Sequence, residues 1–179
     1  MSGSPAGISI RRAAATDADA RTLAELGARL FSEAFAAMND PDDVREFLAK
    51  TYSPALQLAE LLDSDRVAWI AEAEGRAVGY AMLRRRSTSP AVSAHSPAEL
   101  QRIYADRSYH GRGVAQALLE TCLEQARAWG CDVVWLGAWE RNPRGLAFYE
   151  KWGFRRVGEH RFLVGTDSQR DHVMALRLA

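Results

Sequence analysis

Apolar residues recur along this chain in two rhythms. Leu23, Leu26, Leu30, Ala34 and Met38 return every three or four positions, which is the period of one helix face. Thr16 or Asp17 stands just ahead of them as an N-cap. The same period returns after Gly111, where Ala115, Leu118, Leu119, Cys122, Leu123, Ala126 and Trp129 make a single stripe. Shorter helices are predicted where a cap meets proline. Asp40 precedes Pro41 in NDPDDVREFLAK, Pro54 opens a segment ending near Asp63, and Pro143 starts NPRGLAFYEKWG.

The remaining apolar runs are short and dense, as strands require. ISIRRA reads as a short edge strand. RVAWIAEAEGRAVGYAML reads as two strands around a Glu74-Gly75 turn. AELQRIYAD is a further strand, and CDVVWLGAW is apolar on both faces, as for a central strand covered on both sides. HRFLVGTDSQRDHVMALRLA closes the chain as two strands around a polar turn. The Ser/Pro-rich stretch RRRSTSPAVSAHSP is expected to be a mobile loop. Strand, helices, hairpin, strand, helix, strand, helix and strands, with no internal repeat, imply one α/β domain with a mixed sheet. That domain is expected to span residues 8–179, after a flexible tail at residues 1–7.

Composition narrows the field. At 179 residues the chain suffices for one domain, and 47% hydrophobic with 26% charged residues is ordinary for a globular protein. Lys plus Arg and Asp plus Glu both number 23. With no net charge, no bulk field draws the chain to nucleic acid or an anionic membrane. No apolar run approaches the about 20 residues that cross a bilayer. MSGSPAG lacks the basic and apolar regions of a signal peptide, so a cytoplasmic protein is expected. Cys122 and Cys131 match no zinc or redox spacing. They read as buried free thiols, and no metal site is expected.

The chemistry begins at YHGRGVAQALL, Tyr109 to Leu119. A helix starting at Gly113 or Val114 leaves its first N–H groups unpaired and carries about half a positive charge there. Gly111 and Gly113 let an anion approach closely. A plain glycine-bearing helix start is the competing reading. A P-loop would need GxxxxGK followed by Ser or Thr, which is absent. A dinucleotide fingerprint would need Gly or Ala at Gln116. The pyrophosphate loop of a coenzyme A enzyme is the common candidate left.

The segments ELQRIYADRSYHGRGVAQALLETCLEQA and ERNPRGLAFYEKWGF together resemble the GCN5-related N-acetyltransferase (GNAT) family. That family's Q/R-x-x-G-x-G/A loop is met by His110, Gly111, Arg112, Gly113, Val114 and Ala115, with His110 departing from Gln or Arg. The resemblance implies a GNAT fold, a single domain whose mixed, mostly antiparallel sheet splays at the cofactor site. It implies acetyl-CoA as acyl donor, its pyrophosphate on the turn from His110 to Gln116 and its pantetheine arm along Ile103, Tyr104 and Ala105. It further implies Tyr149 as the acid that protonates the departing thiolate. A phenol of pKa about 10 can do so for a thiol near 8.5 or above. Packing on a short helix is the alternative for Phe148 and Tyr149. Asn142 resembles the family's amide contact to the cofactor and is also a good helix cap. Lys151 and Arg112 could meet phosphate or simply face solvent. For the base, Glu99 resembles a carboxylate that some relatives use through water; Glu140 or a positioned water are the other candidates.

Acceptor signals are thinner. Asp40, Asp42, Asp43 and Glu46 could attract a polycation such as spermidine, or merely complement a helix dipole. The Arg84-Arg85-Arg86 run reads as a solvated strand end. NDPDDVREFLAKTYSP and FLVGTDSQRDHVMALRL resemble the PaiA-type acetyltransferases, which include polyamine acetylators, and His172 in the latter reads as structural. The expected activity is acetylation of a small-molecule amine, with a peptide N-terminus, a lysine or a non-catalytic acyl-CoA sensor as alternatives. A homodimer is compatible with this reading.

Overall fold

The computed structural model describes residues 7–179, so the expected tail lies outside the described residues except for Gly7. Strand β1 (Ile8–Arg12) leads into α1 (Asp17–Phe35), a 3-10 turn (Ala36–Met38), α2 (Pro41–Thr51) and α3 (Pro54–Leu62). The hairpin β2 (Arg66–Ala73) and β3 (Arg76–Arg85) follows, then β4 (Pro97–Ala105), a 3-10 turn (Arg107–Tyr109) and α4 (Val114–Ala128). β5 (Val133–Trp139), α5 (Pro143–Lys151), β6 (Arg155–Val164) and β7 (Asp167–Arg177) complete the chain.

The caps explain where the helices begin. Thr16 accepts a hydrogen bond from the Asp19 N–H, Asp40 from Asp42 and Asp43, and Ser53 from Leu56. α1 stops at Phe35, and the 3-10 turn that follows leaves Met38 52% exposed. The last member of the predicted stripe therefore lies off the core. Glu74 and Gly75 both have positive φ, the backbone a two-residue hairpin turn demands.

Among the described residues seven strands form the sheet, in the order β1-β2-β3-β4-β5-β7-β6. Every neighbouring pair is antiparallel except β4 with β5, as expected of a mixed, mostly antiparallel sheet. Helices cover both faces. Leu118, Leu119 and Cys122 of α4 pack with Val67, Trp69 and Ala71 of β2, while Leu23, Leu30 and Phe31 of α1 pack with Ala68 and Ile70. Alternation along β2 thus serves two cores. Full burial of Leu118 and Leu119 stabilises the sheet–helix contact by about 1.5–3 kcal/mol each.

Some boundaries differ from expectation. β6 starts at Arg155, ahead of the predicted strand at His160. The Ser/Pro-rich loop is tied down: Trp135 donates its indole N–H to the Ser87 carbonyl at 2.8 Å, and Asp132 accepts from His95 and Ser96. Arg85 and Arg86 both pair with Asp65, so the arginine run is an ion-paired strand end. Among the described residues no helix is long and apolar enough to cross a membrane, and no group of three or more His, Cys, Asp or Glu is placed to hold a metal ion. Both cysteines are free and buried.

Candidate active site

The parallel ladder between β4 and β5 holds for only three pairs, Pro97–Val133, Ala98–Val134 and Glu99–Trp135. Beyond Glu99, β5 continues against β7 alone, and β4 follows β3. A bulge at Gln101 shifts the register, pairing Leu83 with Leu100 but Met82 with Arg102, and such bulges bend the strand that carries them. The two strands therefore part, and a cleft of about 420 Å³ opens between them. That is a size suited to a small-molecule site.

One arm of the cleft is built from the motif residues. Ile103, Tyr104 and Ala105 line it from β4, His110 and Ala115 from the glycine turn and α4, and Asn142, Gly145, Phe148 and Tyr149 from α5. Gly111 and Gly113 have φ of +77° and +85°, a left-handed backbone that costs other residues about 1–2 kcal/mol. The first intrahelical bond of α4 runs from Ala117 N–H to the Gly113 carbonyl, which leaves the N–H groups of Val114, Ala115 and Gln116 without helix partners. Arg107 and Arg144 also line the cleft, so its mouth at this turn is cationic. His110 takes a position of its own. Its Nε2 lies 3.0 Å from the Ala105 carbonyl and its Nδ1 2.5 Å from Arg144 Nη1.

Tyr149 is half-buried in the cleft wall, edge-on to Phe148 and Phe154. Burial pushes its phenol well above the ordinary value, with buried Cys122 adding to the effect. It stays protonated at neutral pH.

The sequence profile of the acetyltransferase (GNAT) family matches residues 29–154. The chain belongs to that family. It is 36% identical over 163 residues to an uncharacterized N-acetyltransferase of Mycobacterium tuberculosis, covering 91% of this chain and 99% of that one. It is 34% identical to the N-alpha-acetyltransferase RimI of the same organism, over 83% of this chain and 80% of RimI. The PaiA N-acetyltransferase from Thermoplasma acidophilum, solved in complex with coenzyme A, shares the fold with a TM-score of 0.76 at 21% identity, covering 96% of this chain and 99% of that one.

Not every anticipated residue of this acetyltransferase reaches the cleft. Glu99 precedes the point where the strands part; it accepts a 2.6 Å hydrogen bond from the Ser87 hydroxyl and is not among the lining residues. Glu140 faces Arg170 at 3.9 Å and does not line it either. Lys151 is exposed at the end of α5, Arg112 lies over the Tyr109 ring at 5.1 Å, and Gln116 bonds Glu120. Asn142 does both jobs that position allows, accepting from the Gly145 N–H at 3.0 Å while lining the cleft. The acidic cluster is engaged elsewhere. Asp40 caps α2, Asp42 pairs with Arg45, Asp43 accepts from Thr166, and Glu46 pairs with Lys50.

The second arm was not visible in the sequence. Phe35, Met38, Trp139, Phe162 and Asp171 line it, brought together from α1, its 3-10 extension and three strands. Phe35 meets Tyr104 and Trp139 edge-on at 6.2 and 5.7 Å. The only advance signal was a carboxylate, Asp171, set among apolar strand residues. The cleft is lined from both faces of the sheet: Tyr149 packs with the α4 core, Tyr104 with the α1 core. The gap between β4 and β5 joins them.

Proposed function

We propose that this acetyltransferase moves the acetyl group of acetyl-CoA to the primary amine of a small molecule in the cytoplasm. The observation that carries this reading is the continuous cleft, with a helix start of unpaired N–H groups in one part and aromatic rings around a carboxylate in another. The unpaired N–H groups of Val114, Ala115 and Gln116, with Arg107 and Arg144 beside them, suit a pyrophosphate. Ile103, Tyr104 and Ala105, facing the gap where β5 no longer pairs, suit an extended pantetheine arm. Tyr149, in the wall of the cleft, supplies a proton to the departing thiolate. Rings of Phe35, Tyr104 and Trp139 suit an ammonium carried on an apolar body. Polyamines remain candidates through the PaiA-like fold, although the acidic cluster near α2 has its own partners.

A second reading is supported by the likeness to RimI: acetylation of a peptide's α-amine. Thiol release from acetyl-CoA, measured across arylalkylamines, polyamines, amino acids and short peptides, separates the two. We expect turnover with compact amines bearing an apolar group. Turnover with peptides alone would favour the second reading, and tight CoA binding without any turnover would make the chain a sensor.

A further inference from the structure

The cleft holds two carboxylates, Glu33 and Asp171. Glu33 is paired with Arg29 at 2.9 Å. Among the described residues Asp171 has no Lys or Arg partner; its counterpart is His160, whose Nε2 lies 3.6 Å from Oδ2. Trp139, Asp171 and His160 sit abreast on β5, β7 and β6. The pair can meet there because Gly137 of β5 has no side chain. A Cβ at that position would come within 2.8 Å of His160 Nε2 and 3.1 Å of Asp171 Oδ2.

We propose that Asp171, backed by His160, is the carboxylate that receives the acceptor's ammonium group and takes its proton. This rests on the reading that the cleft acetylates an amine. A buried carboxylate with no strong cationic partner is costly unless something positive arrives, and an ammonium entering an aromatic chamber is such a group. Burial raises the affinity of Asp171 for a proton, while His160 acts against this. Asp171 pairs across the ladder with Trp139 and lines the cleft with Phe35 and Tyr104, which sets the carboxylate in the aromatic chamber proposed for the acceptor.

The proton balance is complete. The ammonium gives one proton to Asp171, and the neutral amine attacks the thioester carbon. The C–N bond forms, the C–S bond breaks, and the thiolate takes the Tyr149 proton. The new amide nitrogen sheds its second proton, which restores the phenol. The proton held by Asp171 leaves through the imidazole of His160, whose side chain is 36% exposed, so one proton reaches solvent per turnover.

The charged and titratable groups around Asp171 are His160 from β6, His172 next to it in β7 and Glu140 past the end of β5; Tyr104 from β4 and the Arg29-paired Glu33 from α1 line the same cleft. Because a protonated Asp171 cannot take a second proton, the base is lost as pH falls and kcat/KM carries an acid limb. The test compares kcat/KM against pH for the wild type, Asp171→Asn, His160→Gln and Gly137→Ala, with CoA affinity and Tm measured beside it. Asp171→Asn should lower kcat/KM about 100-fold or more and abolish the acid limb, leaving CoA affinity within about twofold. Gly137→Ala, which drives the pair apart, and His160→Gln should each shift that limb and lower kcat/KM about tenfold. If Asp171→Asn does not fold, these two variants decide. Wild-type turnover with the limb unmoved in Asp171→Asn, or in both other variants, overturns this proposal alone. Absence of wild-type turnover with any amine overturns the functional reading and this proposal with it.

Discussion

Arg144 of α5 directs its Nη1 at His110 Nδ1 from 2.5 Å, while the other ring nitrogen of His110 meets the Ala105 carbonyl. With Nε2–H donating, Nδ1 is free to accept. One imidazole thereby ties the end of β4, the glycine turn and α5 together around the cleft. The residue that departs from the family's loop acts as a brace.

His110→Ala should therefore weaken CoA binding by about 2- to 10-fold, the worth of one net hydrogen bond. His110→Gln, which restores the family's residue, should recover most of it. Isothermal titration with CoA reads the effect, and an unchanged affinity in the alanine variant would remove the brace.

Tyr149→Phe keeps the ring and deletes the proton. It should reduce kcat about 100-fold or more and leave the CoA dissociation constant within about twofold. Since burial raises this phenol above its ordinary 10.0, wild-type kcat should not fall toward alkaline pH below about 10. Equal kcat in the phenylalanine variant would take Tyr149 out of the acid role.

Arg102, one of the cleft residues on β4, is clasped by Glu60 of α3 through two hydrogen bonds of 2.7 and 2.9 Å. Both side chains are 16% exposed. Glu60→Ala strands the guanidinium beneath the parted strands and should cost about 3–5 kcal/mol, a fall of roughly 10 °C in Tm. The double variant Glu60→Leu, Arg102→Met should regain most of that. Thermal unfolding of the three proteins checks it.

Asp106 precedes the glycine turn. Burial disfavours its charge, but the Ser108 hydroxyl and N–H and the Arg29 guanidinium outweigh this and hold its carboxyl down to about 2. The folded value lies below the ordinary 3.8, so its stabilisation is complete above about pH 4 and is lost as pH falls through 2. Asp106→Asn should lower stability at neutral pH and flatten the acid-unfolding profile in that window. A profile of unchanged slope would show that Asp106 is not the group responsible.

Much of the first arm was legible in the sequence because its geometry is local. Gly111, Gly113 and the stripe from Ala115 to Trp129 are neighbours along the chain, and their spacing states a helix start with close backbone approach. Asn142 and Pro143 announce their own cap in the same way. Glu99 shows where spacing along the chain stops being enough: it lies on β4 as read, but the strands part only after it, and Ser87 donates to its carboxylate.

The second arm of the cleft depends on residues that meet only in three dimensions. Phe35, Trp139, Phe162 and Asp171 come from separate elements, and nothing in their sequence spacing relates them. Hydrophobic period, caps and glycines, all short-range in origin, determined the elements and the glycine turn. The order of the strands, the bulge at Gln101 and the end of the β4–β5 ladder decided where the cleft opens. Only that packing set Gly137 opposite His160 and Asp171, because contact across a sheet is fixed by register between distant segments.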